Sequence, residues 1–266
     1  MNRPMLFERL KWRELKSASS KVFVVPLGSL EQHGPHLPLG TDTWIVSEVA
    51  TRVEREAPDE VVLLPTMWLG HSPHHRHFGC VSLDMRPYMD MIGGLCRSLV
   101  ASGAQKILLL NGHGGNDVPA KAALREVKDH FPSCPELYIA FASYWNLAAA
   151  KITELRESPP GGIGHACELE TSILLVTVPD SVDKTAIAPD GLKSDSKWLQ
   201  HDMFAGQPYF LVNDFHEITA SGVFGMPQYA SEEKGDRFLR AIVDSVLEFI
   251  RDFATWRYQQ DPRSTG

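Results

Sequence analysis

No apolar run in this sequence approaches the roughly 18–20 residues that cross a bilayer. The longest, such as Ile107 to Leu110 and Ile173 to Val176, are far shorter, so no spanning helix is expected. The opening segment MNRPMLFERLKWRELK lacks an apolar stretch followed by a small-residue cleavage site. A secretory leader is therefore not expected, and the cytoplasm is the expected address. Cysteine is scarce: Cys80, Cys96, Cys134 and Cys167 are scattered, with no CxxC pair, which predicts free thiols and disfavours a thiolate zinc site. Positive charge is in deficit, with 26 Lys+Arg against 33 Asp+Glu and a formal net charge of −7. That balance argues against a nucleic-acid or membrane-surface partner. Several fingerprints are also missing. There is no GK[ST] phosphate loop, no GxGxxG dinucleotide turn, no GxSxG nucleophile elbow and no HExxH zinc helix.

What is present is an ordinary globular composition, 266 residues with 43% hydrophobic and 22% charged. It is enough for one large domain, 1–266, with a substantial core. Short apolar runs alternate with helical periodicity. Strands are predicted at Val22 to Leu27, Val61 to Pro65, Lys106 to Leu110 and Glu136 to Phe141. Helices are predicted at Thr41 to Arg55, Tyr88 to Ser102, Val118 to His130, Glu168 to Val178 and Glu232 to Phe253. Continuous apolar strands spaced by helices imply an α/β protein whose mainly parallel central sheet is covered on both faces, a three-layer α/β/α arrangement. Residues Asp180 to Gln207 are polar and aperiodic and are expected to form an excursion or flap.

Histidine is abundant, with eleven, and its placement carries the information. In GSLEQHGPH, Glu31 and His33 stand two apart in a proline-stiffened loop, where both side chains can converge. Asp42 follows at the start of a helix, able to bridge two cations or simply to cap the helix. The donors are oxygen and imidazole nitrogen, suited to Zn, Mn or Fe(II). In NGHGGN, directly after KILLL, His113 is flanked by glycines. Such a loop can hold a metal, cradle an anion on a helix N-terminus, or be a tight turn. In GHACELETS, Glu168 and Glu170 cannot share a helix face, whereas His165 and Glu168 can. The loop His71 to His77 holds four histidines and is expected to line a substrate mouth rather than form the primary metal site.

The strings GSLEQHGPHLPLGTD, NGHGGN, GHACELETS and SGVFGMP, in this order, resemble the creatininase (creatinine amidohydrolase) family. The resemblance spans roughly Val22 to Val246. It implies a three-layer α/β fold, two divalent ions (Zn, Mn or Fe) and hydrolysis of carbon–nitrogen bonds in cyclic amides or formamides. It further implies a small-molecule substrate and a homo-oligomer, a hexamer in creatininase itself. By motif, Glu31, His33, Asp42 and His113 are the implied ligands, with Asp42 bridging. His165 is the implied acid/base residue, with Glu170 beside it. One position departs from the creatinine-hydrolysing branch, which carries NGHxEN: here the metal-binding Glu is Gly115. Met226 also stands where many members have the Asp of GxxGDP. Glu168 is the expected replacement ligand and Glu170 the alternative. His74, His77 and Trp145 are the expected substrate-binding residues. The expected function is a metal-dependent amidohydrolase using a metal-activated water. The alternatives are a metal-dependent isomerase or lyase acting on a sugar-like ketone, or a non-catalytic metal-binding member.

Overall fold

The computed structural model describes residues 5–134, 136–194, 196, 198–199, 202–205 and 208–257. The chain begins with α1 (Leu15–Ala18), β1 (Val22–Leu27), β2 (Leu30–Glu31), α2 (Thr41–Glu56), β3 (Val61–Leu63) and β4 (Cys80–Val81). There follow α3 (Met85–Ala101), β5 (Lys106–Asn111), α4 (Asp117–His130), β6 (Tyr138–Ser143), α5 (Tyr144–Leu147) and α6 (Ala149–Leu155). The last helices are α7 (Glu168–Thr177), α8 (Phe215–Ile218) and α9 (Glu232–Thr255).

Four strands form a parallel sheet in the order β3-β1-β5-β6. Successive side chains of a strand point to opposite faces, and β1 and residues Ile107 to Leu110 of β5 are apolar in both registers. Val22, Val24, Leu108 and Leu110 therefore pack under α2, α7 and α9. Phe23, Val25, Ile107 and Leu109 pack under α3 and α4. The result is the α/β/α layering expected from the sequence. The helix α9 buries Phe238, Leu239, Ile242, Val246 and Ile250 on the face that their spacing marked. Its last turn is tied to the sheet by Lys106, whose Nζ donates to the carbonyls of Phe253, Ala254 and Trp256. A cation there satisfies carbonyls that have no partner within the helix.

Several boundaries moved. The helix expected from Tyr88 starts at Met85, since Pro87 is tolerated in a first turn. The strand expected at 136–141 lies at Tyr138–Ser143, which carries its end level with Asn111. The small antiparallel pair β2–β4 was not expected. In the 180–207 excursion, the described residues form two short 3-10 turns, Pro179–Ser181 and Lys184–Ala186. Asp190 bridges back to Gly225. Positions 195, 197, 200–201 and 206–207 of that expected flap lie outside the described residues. Among the described residues, no helix is long and apolar enough to cross a membrane.

Candidate metal centre

The C-terminal ends of parallel strands in an open sheet are where loops from different elements can meet. Here β1 runs into Ser29, Glu31 and His33, while β5 ends at Asn111 and passes to His113. Asp42 is the second residue of α2. Gly112 brings the β5 loop against that helix. A side chain there would meet Val46 at 2.7 Å and the Asp42 carbonyl at 3.1 Å. The segment before α7 delivers His165, paired by backbone hydrogen bonds with Phe224, and the third residue of α7 is Glu170. Between them, Ala166 takes a left-handed φ of 52°, a sparsely populated conformation for a residue with a Cβ.

Two sets of donors share Asp42. Its Oδ2 lies 3.1 Å from His113 Nδ1, which is also 3.1 Å from Glu31 Oε2. Its Oδ1 lies 3.1 Å from His33 Nε2, with Glu170 Oε1 3.9 Å from the same nitrogen. In each set, Glu31–Asp42–His113 and His33–Asp42–Glu170, the ligand atoms all lie within 4.8 Å of one another, and all five residues are buried. Glu31, His33 and His165 form a third group meeting the same limit. Among the described residues, no lysine or arginine pairs with these three carboxylates.

The remaining imidazole nitrogens are tied down. His33 Nδ1 lies 3.0 Å from the Glu31 carbonyl, and His113 Nε2 3.1 Å from the His71 carbonyl. A ring N–H donated to a backbone carbonyl fixes the tautomer and aims the other nitrogen's lone pair into the cluster, the arrangement found behind metal-ligating histidines. His165 is held the same way, its Nε2 2.7 Å from the Gln32 carbonyl and its Nδ1 3.8 Å from Glu31 Oε1.

Electrostatics couple the members of the cluster. Burial would strip the proton from His33, but the Asp42 carboxylate outweighs it and holds the imidazole at about 9. Burial likewise opposes charge on His113, yet Glu31 and Asp42 hold it well above the ordinary histidine value. Burial would raise Glu31, but His113 and His75 hold it well below the ordinary carboxylate range. Burial pushes Glu170 up to about 7 against the pull of His33, with Asp42 adding to the rise. Buried carboxylates thus favour positive charge on the imidazoles beside them. The Asp42 Oδ2 atom is buried, and the His113 imidazole at 3.1 Å is its one polar neighbour among the ion pairs of the described residues. A charge-dense oxygen and nitrogen set with a buried carboxylate oxygen facing only an imidazole fits divalent ions.

Two expectations are corrected. Glu168 does not join the cluster. Its carboxylate accepts from the backbone N–H groups of Glu157 and Ser158, each at 2.9 Å, and pairs with Lys234 Nζ at 2.9 Å. Positions 168 and 170 open the same helix about 200° apart, so only one can face the cluster, and it is Glu170. Trp145 packs in the apolar core beside the Tyr144 ring, 5.0 Å away. It does not line the cavity beside the site. That cavity has a volume of about 500 Å³ and is lined by His71, His74, His77, Gly115 and residues 210–214 among others. Neither this cavity nor a larger hollow of about 690 Å³ around Asp190 and Phe224 is lined by the cluster's own residues, but the smaller one borders it through His71 and His74, which lie against His113.

Gly115 itself has no room for a side chain. A Cβ would lie 2.2 Å from the His71 carbonyl and 2.4 Å from His113 Nε2. The histidine loop occupies that space, and the carboxylate arrives from α7 instead.

Sequence reasoning passed over three residues. His75 places Nε2 3.1 Å from Glu31 Oε1. Gln32 is buried between His75 and His165. Phe215 lays its ring 3.9 Å from that of His75 and 4.6 Å from that of His165, measured between centroids. His75 was visible as one of four loop histidines, but nothing in the spacing separated it from His74. Phe215 has no motif around it.

A family profile described as creatinine amidohydrolase (Creatininase) matches residues 8–250. The mycofactocin precursor peptide peptidase of Mycobacterium tuberculosis (strain ATCC 25618 / H37Rv) is 31% identical over 260 residues, 93% of this chain and 90% of that one. The creatinine amidohydrolase of Pseudomonas putida is 25% identical over 269 residues, 95% of this chain and 98% of that one. A solved mutant creatininase described as Zn-Zn type superposes with a TM-score of 0.78 at 24% identity, covering 94% of this chain and 98% of that one. This fold likeness agrees with the layered sheet described above.

Proposed function

The chain belongs to the creatininase family of hydrolases, and we propose that it hydrolyses a carbon–nitrogen bond of a cyclic amide, a formamide or a similar small molecule. The observation that carries this reading is the shared placement of Asp42. Its two oxygens face two different donor sets, so Glu31, Asp42 and His113 would hold one divalent ion and His33, Asp42 and Glu170 the other. Two such ions lower the pKa of water toward about 7 and polarise a carbonyl oxygen.

The chain's own groups supply the rest. Burial first, and then the charge of the neighbouring His33 imidazole, hold His165 well below the ordinary histidine value. It is therefore neutral, and with Nε2 donating to the Gln32 carbonyl its bare nitrogen is Nδ1, facing the cluster. Nδ1 is placed to take a proton and pass it to the leaving nitrogen. Proton transfer by a positioned group is worth about 10²- to 10⁴-fold. Phe215 covers the His75 and His165 rings with an apolar face. The cavity beside the site, about 500 Å³, falls within the roughly 300–1,000 Å³ usual for small-molecule sites. The crowding of Gly115 by His71 and His74 argues against creatinine itself, whose enzymes carry a carboxylate there. Phe210 and Val212, 79% and 78% exposed at the cavity rim, support a homo-oligomeric assembly.

The test is turnover of a panel of cyclic amides, formamides and short peptides by protein purified without chelator. A C–N substrate should be cleaved, with activity lost on chelation and restored by Mn or Zn. No turnover by metal-loaded protein contradicts the reading. Metal uptake should also release protons. Below pH about 9 an ion must displace the proton on His33, and below about 7 that on Glu170 as well. Affinity for Zn or Mn should therefore rise between pH 7 and 9, checked by calorimetry in buffers of different ionisation enthalpy.

A further inference from the structure

Three histidines at the cluster obey one rule and a fourth breaks it. His33, His113 and His165 each have one ring nitrogen against a backbone carbonyl and the other toward the carboxylates. His75 has no carbonyl behind it. Its Nδ1 lies 2.9 Å from the side-chain amide nitrogen of Gln32, and its Nε2 lies 3.1 Å from Glu31 Oε1.

The orientation of the Gln32 amide is fixed by its other partners. The backbone N–H of Gly34 donates to Oε1 at 2.8 Å, so that atom must be the oxygen. The carbonyl of Gly222 lies 3.1 Å from Nε2, so that atom must be the nitrogen. One amide hydrogen goes to Gly222. The second has two neighbours, His75 Nδ1 at 2.9 Å and His165 Nε2 at 3.1 Å. His165 Nε2 already carries a hydrogen, because it donates to the Gln32 carbonyl at 2.7 Å. A nitrogen bearing a hydrogen cannot accept. The second amide hydrogen therefore goes to His75 Nδ1, which must be bare, and the proton of His75 sits on Nε2.

We infer that Gln32 is a positioning residue that holds His75 in the Nε2–H form, so that His75 donates a hydrogen bond to Glu31 Oε1 and is not itself a metal ligand. The inference rests on the metal-dependent reading of the site. Its consequence is a division of labour on Glu31. Oε1 is occupied by His75, while Oε2, near His113 and the Ser29 hydroxyl, is the oxygen left for a cation. Gln32 also ties this arrangement to Gly222, so the SGVFGMP segment supports the cluster without contributing a ligand. A Cβ on Gly222, whose φ is +87°, would lie 2.0 Å from Gln32 Oε1, which explains a glycine at that position.

The test is two-bond ¹⁵N–¹H correlation on the full-length chain with ¹⁵N-histidine, metal-free and zinc-loaded, with the His75 signals assigned by their loss in His75→Gln. Nε2 of His75 should carry the proton and Nδ1 should be bare in both states. In Gln32→Glu, whose carboxylate can only accept, a proton should appear on Nδ1. Activity should fall about 10- to 100-fold, the usual cost of losing a group behind a ligand, mainly in kcat with KM little changed. His75→Gln, which can accept from Gln32 and donate to Glu31 through one amide, should keep two ions per chain and more activity than His75→Ala. A protonated Nδ1 in the wild-type chain, or loss of an ion in His75→Gln, overturns the inference. If no amide is turned over at all, the hydrolase reading fails, but the tautomer and the ion content of His75→Gln still decide this one.

Discussion

Replacing Asp42 by Ala should remove both metal ions and lower turnover by about 10³-fold or more. The size follows from what two ions contribute, several kcal/mol of charge stabilisation in the transition state, at 1.36 kcal/mol per tenfold in rate. Asp42 is the only residue present in both donor sets that surround it, one through each oxygen, so its loss leaves two ligands at each position. The fold should survive. Asp42 sits in the first turn of α2, where a carboxylate's interaction with the helix end is worth roughly 0.3–1 kcal/mol. Mass spectrometry for metal content, turnover with the best substrate, and circular dichroism separate these effects. A variant that keeps two ions and full activity would remove Asp42 from the mechanism.

The second large effect is a contrast between neighbours. Glu170→Gln should lose one ion, the one beside His33, and with it about 10²-fold or more in turnover. Its thermal stability should change little, because burial already pushes this carboxyl up to about 7 and an amide is a near-isosteric replacement. Glu168→Gln should do the reverse. Both ions stay, but a buried charge pair is broken and Lys234 is left 4% exposed with its main partner gone. Breaking such a pair costs about 3–5 kcal/mol. The low end applies here, since Lys234 keeps Glu157 and the Tyr229 carbonyl. At roughly 2–4 °C per kcal/mol for a chain somewhat smaller than this one, the midpoint should fall by about 6–12 °C. Differential scanning fluorimetry beside metal analysis reads both quantities. Equal metal loss in the two variants would contradict the assignment.

The sheet was legible because β1 and the interior of β5, Ile107 to Leu110, are continuously apolar, a pattern that a strand buried on both faces requires. Glu31, His33, Asp42 and His113 were legible for a different reason. Glycine, proline and charge concentrate in the loops that follow those strands, where α/β folds place ligands. The choice between Glu168 and Glu170 was not legible. Both lie in the first turn of α7, and the phase of that turn is set by the Cys167 cap and by Lys234, which comes 66 residues later. Trp145 misled because a large aromatic beside a strand end is as often core as pocket. Its burial comes with the packing of α5 on α9, far later in the chain, which the local sequence cannot show. Gln32 and His75 meet only through a contact 43 residues apart in the chain. Their roles follow from hydrogen-bond logic that exists only once the loops are folded together.

The most direct test of the central claim is an anomalous-difference map from a crystal of the wild-type chain grown with Mn or Zn. Two peaks are predicted, one on each side of Asp42. One should lie within bonding distance of Glu31 Oε2 and His113 Nδ1, the other near His33 Nε2 and Glu170. A single peak, or a peak at Glu168, would contradict the account.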